Sequence, residues 1–119
     1  MRPFDVFSAA CPSRSAFTEA TGRWGALTLA ALRSGPARFA ALRRTIGGIS
    51  DRMLAQTLQQ LESDGLVERT VLGQFPPSVQ YALTPVGEPI AAKLAEFIDV
   101  LYQQLPAILA ARDERRDTE

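Results

Sequence analysis

Residues 47–65 read GGISDRMLAQTLQQLESDG, and the reading of this stretch decides the fold. Leu54, Leu58 and Leu61 recur at spacings of four and three, the pattern of an amphipathic helix with one buried face. Ser50 stands where an N-cap accepts a backbone N–H, Asp51 suits the positive end of the helix, and Ile49 can staple onto Leu54. Gly65 supplies the stop. At about 100° per residue, Arg52, Gln56, Gln59 and Ser63 fall opposite the leucines, with Gln60 beside them. No long acidic side chain interrupts that outer face, which is unusual for a merely solvated helix.

Working outward, Gly47-Gly48 makes a tight turn after a preceding helix expected over about Pro36–Thr45, in which Phe39 and Leu42 face inward and Arg43 and Arg44 do not. Before it, Ser34-Gly35-Pro36 terminates a helix of about Arg23–Arg33. Trp24 reads as a core anchor of that helix rather than a ligand stacker. An earlier helix, about Pro12–Thr21, has Cys11 as cap, Pro12 at its first position and Gly22 as stop. Downstream the period changes to two. Leu66–Leu72 and Val79–Leu83 read as strands around a Gly73–Ser78 loop. Thr84-Pro85 then opens a last helix to about Arg112, disturbed at Pro89 and Pro106, with a frayed charged tail.

The chain has 119 residues, 46% apolar and 22% charged, with one cysteine and no histidine. That suits a single domain, 1–119, with one modest core. It excludes an intramolecular disulfide scaffold, a cysteine metal cluster, His-containing zinc sites and Ser-His-Asp or Cys-His hydrolases. No glycine-rich phosphate loop or convergent carboxylate cluster suggests an enzyme, and neither a cofactor nor a metal is expected. The longest apolar-looking run, Trp24–Leu32, falls far short of the ~20 residues that span a bilayer, so no membrane partner is expected. Ser8-Ala9-Ala10-Cys11 superficially resembles a lipoprotein cleavage box, but the apolar stretch that should precede it is missing, and the expected location is cytoplasmic.

The net charge of zero conceals an asymmetry. Residues 1–22 balance, Arg2 and Arg14 against Asp5 and Glu19. Arg23, Arg33, Arg38, Arg43, Arg44 and Arg52 meet only Asp51, so residues 23–52 are net +5, whereas residues 53–119 are net −5. A basic middle in a neutral chain suggests a local anionic partner, and arginine is the side chain that forks onto phosphate and guanine. On charge alone, an anion-binding face and a solvated arginine-rich face both remain open.

The succession of helices followed by a hairpin is that of a winged helix-turn-helix, mainly α with a small β-hairpin. The helix-turn-helix spans about 36–65, the wing about 66–84 and a dimerisation helix about 85–112. In such a unit the second helix enters the major groove of double-stranded DNA and reads base edges from its N-terminal half. Arg52 and Gln56 can bond guanine and adenine bidentately, with Gln59 and Gln60 on or beside the same face. Ser50 can reach a phosphate or a base, and Arg38, Arg43, Arg44, wing Arg69 and wing-tip Ser78 complete the candidate DNA contacts. A winged helix can also serve purely as a protein-interaction module; exposed apolar or acidic residues on the fourth helix would favour that alternative.

These residues also carry a resemblance. Cys11-Pro12, Gly22-Arg23-Trp24, Gly35-Pro36-Ala37-Arg38-Phe39, Leu42-Arg43-Arg44 and Gly48-Ile49-Ser50-Asp51-Arg52-Met53-Leu54 form its first half. Leu58, Leu61-Glu62, Asp64-Gly65-Leu66-Val67, Arg69, Pro76-Pro77-Ser78-Val79-Gln80-Tyr81, Leu83-Thr84 and Gly87 complete it. Together they resemble the HxlR family of winged-helix transcription regulators, relatives of the MarR type, over about residues 11–105. The resemblance implies a homodimeric DNA-binding repressor or activator. Two departures stand out: Ser78 where the family often has arginine, and Asp51 where proline is common.

Two further constellations follow. Ile90, Leu94, Phe97, Ile98, Leu101, Leu105 and Ile108 form a stripe too long for one domain's core, and with Phe4, Val6 and Phe7 it is the expected dimer interface. Pairing there would set two recognition helices about one DNA turn, ~34 Å, apart. Cys11, at a helix N-terminus, gains thiolate character from the helix dipole. The resemblance implies a redox or electrophile sensor at this position; an inert packing thiol is the alternative. An apolar cleft between the first, second and last helices would admit a small-molecule effector.

Overall fold

The computed structural model describes residues 3–118; Arg2 and Glu119, counted in the charge balance, lie outside them. Five helices and three strands follow in the order α1 (Pro12–Thr21), α2 (Arg23–Ala31), β1 (Ala37–Arg38), α3 (Phe39–Thr45), α4 (Asp51–Ser63), β2 (Val67–Leu72), β3 (Ser78–Leu83) and α5 (Gly87–Thr118). The α1 bounds match the expectation, because Pro12 presets the first turn and the chain leaves helical geometry at Gly22. At α4 the Ser50 hydroxyl accepts the Met53 N–H at 3.0 Å, the N-cap bond the sequence predicts.

Three expectations need correction. The second helix ends at Ala31 and tightens into a 3-10 turn, Leu32–Ser34, instead of running to Arg33. The third begins at Phe39 rather than Pro36, because Ala37–Arg38 forms β1 against β3, Ala37 opposite Tyr81 and Arg38 opposite Gln80. Gly35, at φ +128°, turns the chain into that strand, and β1 satisfies backbone groups that would otherwise leave β3 with an open edge. The last helix continues to Thr118 without interruption at Pro89 or Pro106. Pro89 removes one bond, to the Pro85 carbonyl, at the very start of the helix, where the Thr84 cap and the Glu88 N–H donated to the Thr84 carbonyl at 2.9 Å still hold the turn. Pro106 removes one bond, to the Tyr102 carbonyl, on an exposed stretch where solvent can serve it.

The sheet runs β1-β3-β2, all antiparallel, with β2 and β3 in register from Val67–Leu83 to Leu72–Ser78. The core lies between the helices and the sheet's inner end: Leu29 and Leu32 from α2 and its 3-10 turn, Leu42 from α3, Leu54, Leu58 and Leu61 from α4, then Leu66, Val67 and Ala91. Trp24 is half-buried against this cluster, as a core anchor should be. The start of α5 is fixed by Thr84, whose hydroxyl accepts the Gly87 N–H at 3.0 Å and donates to the Gly65 carbonyl. Gly87 cannot be otherwise: a Cβ there would lie 2.0 Å from the Leu66 carbonyl oxygen. At the turn between α3 and α4, Gly48 has φ +84°, which glycine adopts without strain.

Candidate nucleic-acid interface

Helix α3, the Gly47-Gly48 turn and the start of α4 border a cleft of about 680 Å³ lined by Arg43, Arg44, Ser50 and Asp51. Sequence reading expected Arg43, Arg44 and Ser50 to act together, and the fold brings them to one edge. It also adds a contact that no helical period reveals, because its partners sit on different helices: Arg43 Nε pairs with Asp51 Oδ1 at 2.8 Å, both side chains largely exposed. The pair adds little stability in water, but it places a carboxylate on a cation expected to meet phosphate.

Along α4, Arg52, Gln56, Gln59 and Gln60 are all exposed, opposite the buried Leu54, Leu58 and Leu61. The outer face is therefore arginine and glutamine, with Met53 as its exposed apolar neighbour. Ser50 is exposed but already accepts the Met53 amide, so its hydroxyl proton is what it can offer a ligand. Arg38 stands exposed on β1 beside the start of α3, and Arg69 is exposed on β2 opposite Tyr81. Among the described residues Arg38, Arg44, Arg52 and Arg69 carry no ion pair. Ser78 is half-buried and donates to the Leu72 carbonyl at 3.3 Å, closing the wing on itself.

A second surface is largely apolar. A groove of about 1050 Å³ runs between α1 and α5, with Ala26 of α2 in its wall, and its lining includes Val6, Phe17, Ile90, Leu94 and Phe97. This groove lies between the first, second and last helices, where the sequence leaves a cleft open as a possibility. Beyond it α5 carries Leu101 and Leu105 exposed, with Ile98 and Ile108 half-buried, while Phe4 and Phe7 stand exposed at the N-terminus.

Cys11 sits at the N-cap of α1, half-exposed, but does not cap the helix with its sulfur. Instead Sγ accepts the Ser13 hydroxyl at 3.2 Å and the Asp5 amide at 3.4 Å. The Ser13 hydroxyl first, then the Asp5 amide, hold the thiol pKa below its ordinary value, with the Asp5 carboxylate opposing them. Arg14, absent from the sequence-based candidates, clasps the N-terminal segment by donating to the Val6 carbonyl at 2.8 Å and the Phe7 carbonyl at 2.7 Å.

A helix-turn-helix flanked by a two-stranded wing and a leading strand defines a winged-helix transcriptional regulator, and none of the described helices is long and apolar enough to cross a membrane. The chain belongs to the HxlR-like helix-turn-helix family, whose pattern matches residues 20–108. It is 50% identical over 111 residues to the uncharacterised HTH-type transcriptional regulator YtfH of Escherichia coli (strain K12), covering 93% of this chain and 88% of that one. A structure described as a transcriptional regulator, ytfH, from Salmonella typhimurium superposes with a TM-score of 0.85 at 46% identity, over 92% of this chain and 98% of that one. The diamide-treated form of YodB from B. subtilis superposes at 0.67 with 38% identity, over 81% and 96%. The family and these relatives are transcriptional regulators, not enzymes.

Proposed function

We propose that this regulator is a cytoplasmic, sequence-specific repressor that binds an inverted repeat in double-stranded DNA as a homodimer and releases it when Cys11 is oxidised. The observation that carries the DNA reading is the outer face of α4: exposed arginine and glutamines, no acidic interruption between Arg52 and Gln60, and unpaired arginines on the strand, helix and wing around it. An interaction module for proteins would be expected to show apolar or acidic residues there. In this reading Arg52 and Gln56 meet base edges, Gln59 and Gln60 flank them, and Arg38, Arg43, Arg44, Ser50, Arg69 and Ser78 hold phosphates. The reading head is about 36–84, and α5 with Phe4 and Phe7 holds the two copies together.

The test is binding to the DNA flanking the protein's own gene. Arg52→Ala or Gln56→Ala should cost about 1–3 kcal/mol on the preferred site and relax its sequence preference. Equal wild-type affinity for that site and for random duplex at physiological salt would remove the sequence-reading role.

The redox arm rests on Cys11. Its sulfur is half-exposed, its pKa is lowered by donated hydrogen bonds, and the related YodB has been studied after diamide treatment. With one cysteine per chain, oxidation must join Cys11 of two subunits or join Cys11 to a small thiol. With diamide, two thiols become one disulfide while the diazene takes up both protons and both electrons to become a hydrazine. The α1–α5 groove favours a second reading, in which an apolar ligand binds noncovalently. Cys11→Ser separates the two: a variant that keeps its DNA through diamide while wild type lets go supports the sensor, and identical responses point to the groove.

A further inference from the structure

Arg23 opens α2, outside the helix-turn-helix, and none of the roles assigned above uses it. Its guanidinium carbon lies 4.5 Å from the centre of the Trp24 ring. The side chain is exposed, and among the described residues it has no carboxylate partner and no hydrogen bond. Glu19, near the end of α1 and on the wall of a depression that Arg23 also borders, does not pair with it: one Glu19 carboxylate oxygen is buried without a hydrogen-bond partner. Arg23 and Trp24 share a depression of about 250 Å³ with Met53, Gln56 and Gln60 of α4. The cation therefore stands beside the flank of the recognition helix, on a different element, where the DNA backbone would pass if α4 lay in the major groove.

Resting on the DNA-binding reading above, we propose that Arg23 is a backbone clamp: it grips a phosphate bordering the groove that α4 enters, with Trp24 as the platform that holds the guanidinium in place. Stacking on an indole orients the planar fork and leaves its N–H groups free along the edge. A phosphate can take two of them in parallel, which a lysine ammonium cannot reproduce. Because the side chain is already held, little conformational freedom is lost when DNA arrives. The contact adds affinity for any sequence and sets how deeply α4 sits, without reading a base.

The experiment titrates the full-length protein with a fluorescent mixed-sequence duplex over a range of salt, so no operator need be known. Losing one phosphate contact should lower the slope of log K against log salt by about 0.9, which is about an eight-fold affinity loss at 0.1 M salt that vanishes toward 1 M. Arg23→Gln should show this change. Arg23→Lys should recover the slope and only part of the affinity. Arg33→Gln, an equal charge change in the 3-10 turn that follows α2, should leave the slope unchanged. A wild-type slope for Arg23→Gln, or an equal fall for Arg33→Gln, overturns the clamp. If Arg44→Ala still lowers the slope in the same assay, the DNA-binding reading survives that failure. A wild type with no salt-dependent affinity at all would remove both.

Discussion

Leu54, Leu58 and Leu61 on α4 are almost wholly sealed from solvent, whereas Phe97, Leu101 and Leu105 on α5 are 62%, 41% and 40% exposed. Both sets recur at helical spacing on one face. The difference lies in what surrounds them. Helix α4 packs against α2, β2 and α1, so its stripe finds partners within the chain. Helix α5 packs only its first turns, Ile90, Ala91 and Leu94, against the core and then runs on past it. At 1.5 Å per residue its 32 residues span about 48 Å. The winged head completes its own core; the long helix leaves apolar surface open, and each such side chain would gain about 1.5–3 kcal/mol on full burial.

The most severe way to break that contrast is a charge in the open stripe. Leu101→Asp should leave the head folded, because Leu101 touches none of its buried core, yet should prevent pairing of α5 with a second copy. Sedimentation should then report a monomer, where the proposed pairing requires wild type to run as a dimer. Affinity for an inverted repeat should fall by about 10²-fold or more, because the second half-site loses its tethered partner. A wild type that is itself monomeric at micromolar concentration would show that the stripe has another use.

A subtler break lies within the head. Asp51, the first residue of α4, holds Arg43 at 2.8 Å. Phosphate must displace that carboxylate or accept its repulsion. Asp51→Asn should therefore strengthen binding to every duplex several-fold at low salt and steepen the salt slope by about 0.9 as Arg43 becomes available. Loss of the acid from the first turn should cost about 0.3–1 kcal/mol of folding stability. Unchanged slope would mean that Asp51 does not keep Arg43 from phosphate.

What could be read in advance divides along a similar line. Helices whose ends carry their own chemistry, Pro12 before α1 and Ser50 before α4, were legible because caps and periods are local. The wing was legible because its alternation is local too. Strand β1 was not, since two residues have no period and their conformation is chosen by β3, more than 40 positions away. The far end of α5 is not legible from its prolines, because on an exposed helix solvent serves the carbonyl that a proline orphans. At the site, the outer face of α4 followed from about 100° per residue, but the Arg43–Asp51 pair and the Arg14 clasp join segments whose proximity only the fold decides.

The mildest effect concerns the N-terminal segment on the α5 side. Arg14 pins the carbonyls of Val6 and Phe7, Val6 enters the groove wall, and the Asp5 amide points at Cys11 Sγ. The thiol is thus tied to the same segment that borders the apolar groove. Because the Ser13 hydroxyl is the largest influence lowering its pKa, the fold favours the thiolate. Any stability this confers is present above the ordinary thiol pKa and lost as pH falls through the lowered one. Ser13→Ala should raise the pKa back toward its ordinary value without disturbing the core, since Ser13 borders solvent. The rate of alkylation by iodoacetamide, followed against pH, should then have its midpoint at higher pH than in wild type, with a slower rate at neutral pH. If the midpoint does not move, the serine hydroxyl is not what activates Cys11, and the Asp5 amide becomes the group to remove, by a proline at that position.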